Sequence, residues 1–184
     1  MGREIRRVPP NWEHPKYPAD HEKVRYGYRS TDDYMPMYDK PYKEAVAEWM
    51  EGLLEWDKGE RQRIFEEYKQ DYEYWEWGGD PPDRNYYRPE FTEEPTWFQA
   101  YETVSEGTPV TPPFATEDEL INYLCTYGDF WYQKDVKEKG YSTYRSIPSR
   151  EAATSFVKGG WAPSMVVINN GDGVKIKSDI NACT

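Results

Sequence analysis

Apolar residues recur with helical spacing over only part of this chain. From 41 to 58, Ala45, Val46, Trp49, Met50, Leu53, Leu54 and Trp56 follow the 3, 4, 7 spacing of one helix face. Glu44, Glu48, Glu51 and Glu55 occupy the other side. Pro41 suits a first helical turn and Gly59 a stop. A second helix is predicted over 60–76. Ile64, Phe65, Tyr68, Tyr72 and Trp75 are its buried face, and Glu60, Glu66, Glu67, Asp71, Glu73 and Glu76 are mostly its wet face. The short connection at Gly59 allows an antiparallel hairpin or one bent helix.

The flanks follow different rules. Residues 1–40 lack apolar periodicity, and Pro9, Pro10, Pro15, Pro18 and Pro36 preclude a long helix. This segment reads as an extended arm rich in Tyr and Pro, anchored by Trp12. Beyond Gly78-Gly79-Asp80-Pro81-Pro82-Asp83, residues 96–104 alternate imperfectly and predict a strand. Residues 105–113 predict a rigid exposed loop. Thr116 and Glu119 form a capping box that opens a helix to about Tyr127, and Gly128 ends it. Ser149 caps another helix over 150–158, with Ala152, Ala153, Phe156 and Val157 buried. A strand over 161–168 follows, its Trp161 plugging the core, then a hairpin turn at Asn170-Gly171-Asp172-Gly173 and a strand over 174–177. The expected class is α+β. An acidic helical hairpin (about 41–77) packs with a small sheet and two short helices (about 96–178), so that 41–184 forms one domain behind the arm 1–40.

Composition changes the nature of the expected core. Among 184 residues, aromatics make up 17% and aliphatics are few, so packing must rest on rings whose polar tips need partners. The same aromatic content argues against disorder. No run approaches the roughly 18 apolar residues of a membrane span, and no apolar segment follows the basic start MGREIRRVPP, so no signal peptide is expected. Cys125 and Cys183 are far apart and lack metal-ligand spacing, which points to two reduced thiols.

Charge is segregated. Residues 44–94 hold 16 acidic and 6 basic side chains, a net of −10 within a whole-chain net of −11. Such a balance disfavours direct nucleic-acid binding, which runs on Lys and Arg against phosphates. It favours a basic partner, approached by long-range steering. The plain alternative is a solvated face that serves solubility.

Motifs for chemistry are sparse. His14 and His21 lie in a Pro-rich stretch that fixes no coordination geometry, and with both histidines in the arm and no nucleophile elbow around Ser105 a His-based triad is not expected. Asp172 lacks the oxygen series of a calcium loop. Asp80, Asp83, Glu93, Glu94, Glu102 and Glu106 could supply paired carboxylates for hydrolysis, but among 34 acids a pair near a loop has little diagnostic value. No phosphate-binding glycine motif is present. No cofactor, no metal and no catalytic residue are expected.

Several islands resemble a family of small accessory proteins of tailed bacteriophages. They are Arg3–Pro10 with Asn11-Trp12-Glu13-His14-Pro15, Met37-Tyr38-Asp39 leading to Glu48-Trp49, Arg88-Pro89 with Glu93-Glu94-Pro95, 101–116, and 149–165 ending in Gly160-Trp161-Ala162-Pro163-Ser164-Met165. The resemblance implies a phage protein acting in the host bacterial cytoplasm. It implies a non-enzymatic inhibitor of a host defence complex such as a CRISPR effector or restriction enzyme, with a DNA-like acidic face as one means of inhibition. The partner-binding residues expected on this reading are Glu66, Glu67, Asp71, Glu73, Glu76, Trp12 and Glu106. The partner would be a protein or nucleoprotein with a basic surface, with neither direct nucleic-acid binding nor membrane contact. A structural or assembly role in the phage is the alternative, and a carboxylate hydrolase a more distant one.

Overall fold

A computed structural model describes residues 2–18, 34–103, 107–143, 145–163, 165–169, 174–178 and 180–181, with backbone only in 165–169 and 174–178. The elements in chain order are β1 (Gly2–Val8), β2 (Tyr38–Pro41), α1 (Tyr42–Glu55), α2 (Arg61–Tyr68), α3 (Tyr74–Gly78), β3 (Tyr87–Arg88), β4 (Trp97–Glu102), β5 (Thr108–Pro109), α4 (Glu117–Tyr127), α5 (Phe130–Lys139), α6 (Arg150–Gly159), β6 (Trp161–Pro163), β7 (Met165–Asn169) and β8 (Val174–Ser178). The protein is α+β, as expected. It divides into two compact units, one of Met1–Pro36 with Phe91–Thr184 and the other of Met37–Glu90. The expected division into an arm and a single domain 41–184 is thereby replaced.

In the first unit an antiparallel sheet runs β5-β4-β1-β6. The segment expected as an arm begins with an interior strand of this sheet. Pro9 and Pro10 do forbid a helix, but Gly2–Val8 pairs on both sides, with β4 and with β6. The strand escapes a hydropathy reading because its buried positions include Arg3 and Arg6. A buried arginine is legible only when its partners are known.

The register sorts side chains by the two-residue period of a strand. On one face Arg3 pairs across from Glu102, Ile5 from Ala100 and Arg7 from Phe98. That face meets α4 and α6, and the core there comprises Phe98, Ala100, Val110, Leu120, Ile121, Leu124, Ala152, Ala153, Phe156, Val157, Ala162 and Ile180. Thr116 and Ser149 cap their helices as expected: each side chain accepts the third-residue N–H, and Glu119 returns to the Thr116 N–H. The opposite face carries Glu4 across from Tyr101 and Arg6 across from Gln99.

Two expectations are corrected here, and one helix is added. Gly107–Thr111 is buried rather than an exposed loop, because Thr108–Pro109 pairs with β4 as an edge strand. Trp161 is 54% exposed, since alternation sends Ala162 inward instead. Helix α5 was not foreseen; Asp129 caps it by accepting the Tyr132 N–H at 2.8 Å. The turn 170–173 lies outside the described residues, although β7 and β8 pair antiparallel on either side of it.

In the second unit α1 ends in a wide turn, Trp56–Glu60, where Gly59 takes φ 148°, a backbone region that favours glycine. Helix α2 follows but stops at Lys69, which is left-handed. The predicted 60–76 helix is therefore two pieces, and the element that packs back on α1 is α3. Tyr74 makes this contact. Its ring lies between Gly52 and Gly78, where a side chain at either position would overlap it. Strands β2 and β3 pair in parallel, Tyr38 opposite Tyr87.

Candidate functional site

The helices of the second unit leave much of their apolar surface in solvent. Ala45, Trp56 and Ile64 are buried, as periodicity predicts. Met50, Leu54, Phe65, Tyr68, Trp75 and Trp77 are each more than 40% exposed. The expectation that the rings form a buried face opposite the carboxylates is overturned in that respect. The 54 residues of this unit, Met37–Glu90, are too few to build a second layer that covers both α1 and α2. Trp56, Trp77, Tyr68 and Tyr72 form a chain of ring contacts, with Trp77 lying 6.3 Å from Trp56, 5.5 Å from Tyr68 and 5.8 Å from Tyr72 between centroids. Phe65 and Tyr68 are one turn apart on α2 and share a face, so Phe65 adjoins the exposed rings of Tyr68 and Trp77, while Trp75 is exposed on α3. A contiguous apolar patch of this kind marks an interaction site more often than chance.

The predicted acidic residues are also more engaged than their numbers imply. Asp71 accepts from Arg61 Nε at 2.9 Å, and Glu73 lies 3.6 Å from the same guanidinium. Glu67 accepts from Arg63 at 3.0 Å, and Glu60 also binds Arg63, which holds the Glu60 carboxyl below its ordinary range. Glu76 accepts the Glu73 N–H at 2.8 Å and closes the capping box of α3. Among the described residues Glu66 is bonded only by Gln62, and it is exposed. Glu44, Glu51 and Asp57 have no cation within 4 Å among the described residues. The free carboxylates thus lie on α1 and the Trp56–Glu60 turn more than on the predicted α2 positions.

Two clefts open in this unit. One, of about 470 Å³, is lined by Trp56, Asp57, Gly59, Arg61, Gln62, Phe65 and Asp71. The buried Trp56 indole N–H has no acceptor among the described residues. The other, of about 560 Å³, lies between β2–β3 and α1–α3 and includes Tyr38, Trp49, Tyr74 and Tyr87. Trp49 donates from its indole to the Gly79 carbonyl at 2.9 Å, which fixes the ring against Tyr74 at 5.0 Å.

Trp12 belongs to the first unit. Its indole donates to the Tyr101 hydroxyl at 3.3 Å, and its ring meets Phe91 edge-on at 5.2 Å. Glu106 lies outside the described residues. Around Tyr101 a buried polar network assembles on the sheet face away from α4 and α6. His14 Nε2 is 2.7 Å from the Met35 carbonyl, Nδ1 is 3.2 Å from the Tyr101 hydroxyl, and that hydroxyl donates to Gln99 at 2.9 Å. Burial pushes His14 down to about 4; the Met35 hydrogen bond opposes this and Arg6 adds to it. In sequence His14 is weighed as a metal ligand and as a triad member. Its role here is to tie together two distant segments of chain.

Glu102, weighed as a hydrolytic carboxylate, is buried and saturated. Arg3 donates to it at 2.7 Å and the Trp131 indole at 2.8 Å. Asp83 caps the turn 84–86 through the Asn85 N–H. Among the described residues no three His, Cys, Asp or Glu side chains converge as a metal site, and no helix is long and apolar enough to cross a membrane.

No family model, curated protein or solved structure matches the chain.

Proposed function

We propose that the protein acts by binding another protein through the helices of its Met37–Glu90 unit, and that its partner presents a basic surface. The observation that carries this reading is the exposed ring surface of Phe65, Tyr68, Trp75 and Trp77 amid an excess of carboxylates. Exposed rings supply affinity on desolvation, and net negative charge supplies on-rate and selects a basic partner. The resemblance of the islands to phage accessory proteins supports a place for this activity: inhibition of a bacterial defence complex in the cytoplasm of an infected host. The internal pairing of Asp71, Glu73 and Glu67 argues for docking through rings rather than for a rod of DNA-like charge.

The test is affinity capture from infected cells with the wild-type chain and with Phe65→Ala/Trp75→Ala, folding being checked by circular dichroism. Partners that bind wild type and are lost by the folded double variant support the reading. Equal capture by both rejects it. Recovery of the protein in purified virions would favour the assembly role instead.

A further inference from the structure

The cleft between β2–β3 and α1–α3 is walled by two aromatic pairs. Tyr38 and Tyr87 are register partners across β2 and β3, and their rings stand 5.2 Å apart. Trp49 and Tyr74 form the opposing pair at 5.0 Å, held by the Gly79 hydrogen bond and by the glycines that flank Tyr74. Glu48 and Asp80 lie among these rings, in a space of about 560 Å³.

A concave site lined by aromatic faces and carboxylates has the chemistry of a cation site. The ring quadrupole attracts a cation over its face, and the attraction grows as water is removed. One carboxylate at the cleft is already paired with an ammonium. Lys40, on the cleft wall, reaches back to bond Glu48 at 2.5 Å, and that bond raises the Lys40 ammonium above its ordinary value. Lys40 occupies Glu48 alone; Asp80 has no cation within 4 Å among the described residues. One carboxylate and the ring walls are therefore left for a cation from outside. Asp39, also on the wall, is held by Arg88 at 3.0 Å.

We propose that this cleft receives an arginine side chain of the basic partner, its guanidinium between the two aromatic pairs and bonded to Asp80. Arginine fits better than lysine because its planar, weakly hydrated group stacks on rings and presents parallel donors to a carboxylate. The proposal rests on the basic-partner reading above, and it identifies which part of the unit reads the partner's charge.

The experiment uses the full chain and follows the eight indole N–H signals by NMR during titration with a short arginine-rich peptide at low salt, with an otherwise identical glutamine peptide as control. The Trp49 indole signal is expected to shift with the arginine peptide and not with the control. Asp80→Asn is expected to weaken binding about fivefold and Tyr38→Ala about as much, the range of a partly desolvated cation–ring or charge contact. Both positions are exposed, so folding is checked simply from the unchanged remainder of the spectrum. Shifts confined to Trp75 and Trp77, with affinity unaffected by Asp80→Asn, would overturn the cleft assignment while leaving the docking face intact. No binding of the arginine peptide at all would overturn both.

Discussion

Arg3 and Asp129, 126 positions apart, meet inside the protein: the guanidinium donates to Asp129 Oδ2 at 3.0 Å while its other branch donates to Glu102 at 2.7 Å. The arginine is 1% exposed. The three groups satisfy one another and join strand β1, strand β4 and the start of α5. Removing one member leaves an uncompensated buried charge, which costs far more than an exposed pair does. Arg3→Ala is expected to lower unfolding free energy by about 3–5 kcal/mol. Arg3→Lys should restore little of it, because an ammonium cannot reproduce the fork that serves both carboxylates. Urea denaturation measures both; a loss under about 1 kcal/mol for Arg3→Ala would mean that the pairs are not formed in the folded protein.

The His14 network has a defined response to pH. Nε2 faces a carbonyl, so it bears the proton of the neutral ring, and Nδ1 is left as an acceptor beside the Tyr101 hydroxyl. That hydroxyl has one proton for two acceptors, Gln99 and His14. With a folded value of about 4 and an ordinary value of 6.5, the unfolded chain binds the extra proton first. The contribution of His14 is therefore complete above about pH 6.5 and is lost as pH falls toward 4, by up to about 3 kcal/mol. Denaturation of wild type and His14→Gln at pH 7.5, 6, 5 and 4.5 isolates it, since other groups titrate equally in both. Parallel stability curves for the two proteins would exclude the buried neutral histidine.

Gly52 offers a test in which two effects have opposite sign. In a free helix Gly→Ala stabilises by about 1 kcal/mol. Here the new methyl would overlap the Tyr74 hydroxyl and press on its ring, which packs between Gly52 and Gly78. Overpacking of this kind costs about 1–3 kcal/mol, so Gly52→Ala is expected to be net destabilising. Tyr74→Phe removes the overlapped hydroxyl and should relieve part of the loss in the double variant. Thermal unfolding of the four proteins of this cycle reads the coupling. Stabilisation by Gly52→Ala alone would show that Tyr74 does not pack there.

Charge reversals on the acidic unit should divide by pairing rather than by position in the sequence. Asp71→Lys and Glu73→Lys place a cation against Arg61, whereas Glu44→Lys and Glu51→Lys break no ion pair among the described residues. The α1 reversals are expected to slow association with a basic partner while leaving the unfolding midpoint in place. The Asp71 and Glu73 reversals should lower the midpoint as well. Stopped-flow association rates and thermal melts separate the two effects, and the rate effect should fade as salt rises. Identical behaviour of both pairs would show that the Arg61 contacts have no influence on folding.

Local signals in the sequence were sufficient where the physics is local. Thr116 with Glu119, Ser149 before Ala152 and Ala153, and the 3, 4, 7 spacing around Ala45 and Trp56 each define a helix by contacts within a turn or two. An imperfect two-residue period likewise marked 96–104 as a strand, and Trp97–Glu102 within it is one. The carboxylate excess of 44–94 was also plain from composition, because charge adds up whatever the fold. What the sequence could not determine was which polar residues are buried and which apolar ones are not. Arg3 reads as surface until Glu102 and Asp129 arrive from about a hundred residues away, so β1 passed for an arm. Trp161, Phe65 and Trp75 read as core because periodicity says which residues share a face, and not whether anything covers that face. The i,i+3 and i,i+4 pairing of Arg63 with Glu60 and Glu67 is local, whereas the ring-walled cleft between Tyr38, Tyr87, Trp49 and Tyr74 depends on segments distant in the chain. Such contacts are set by the closure of the whole chain, and only the tertiary structure decided them.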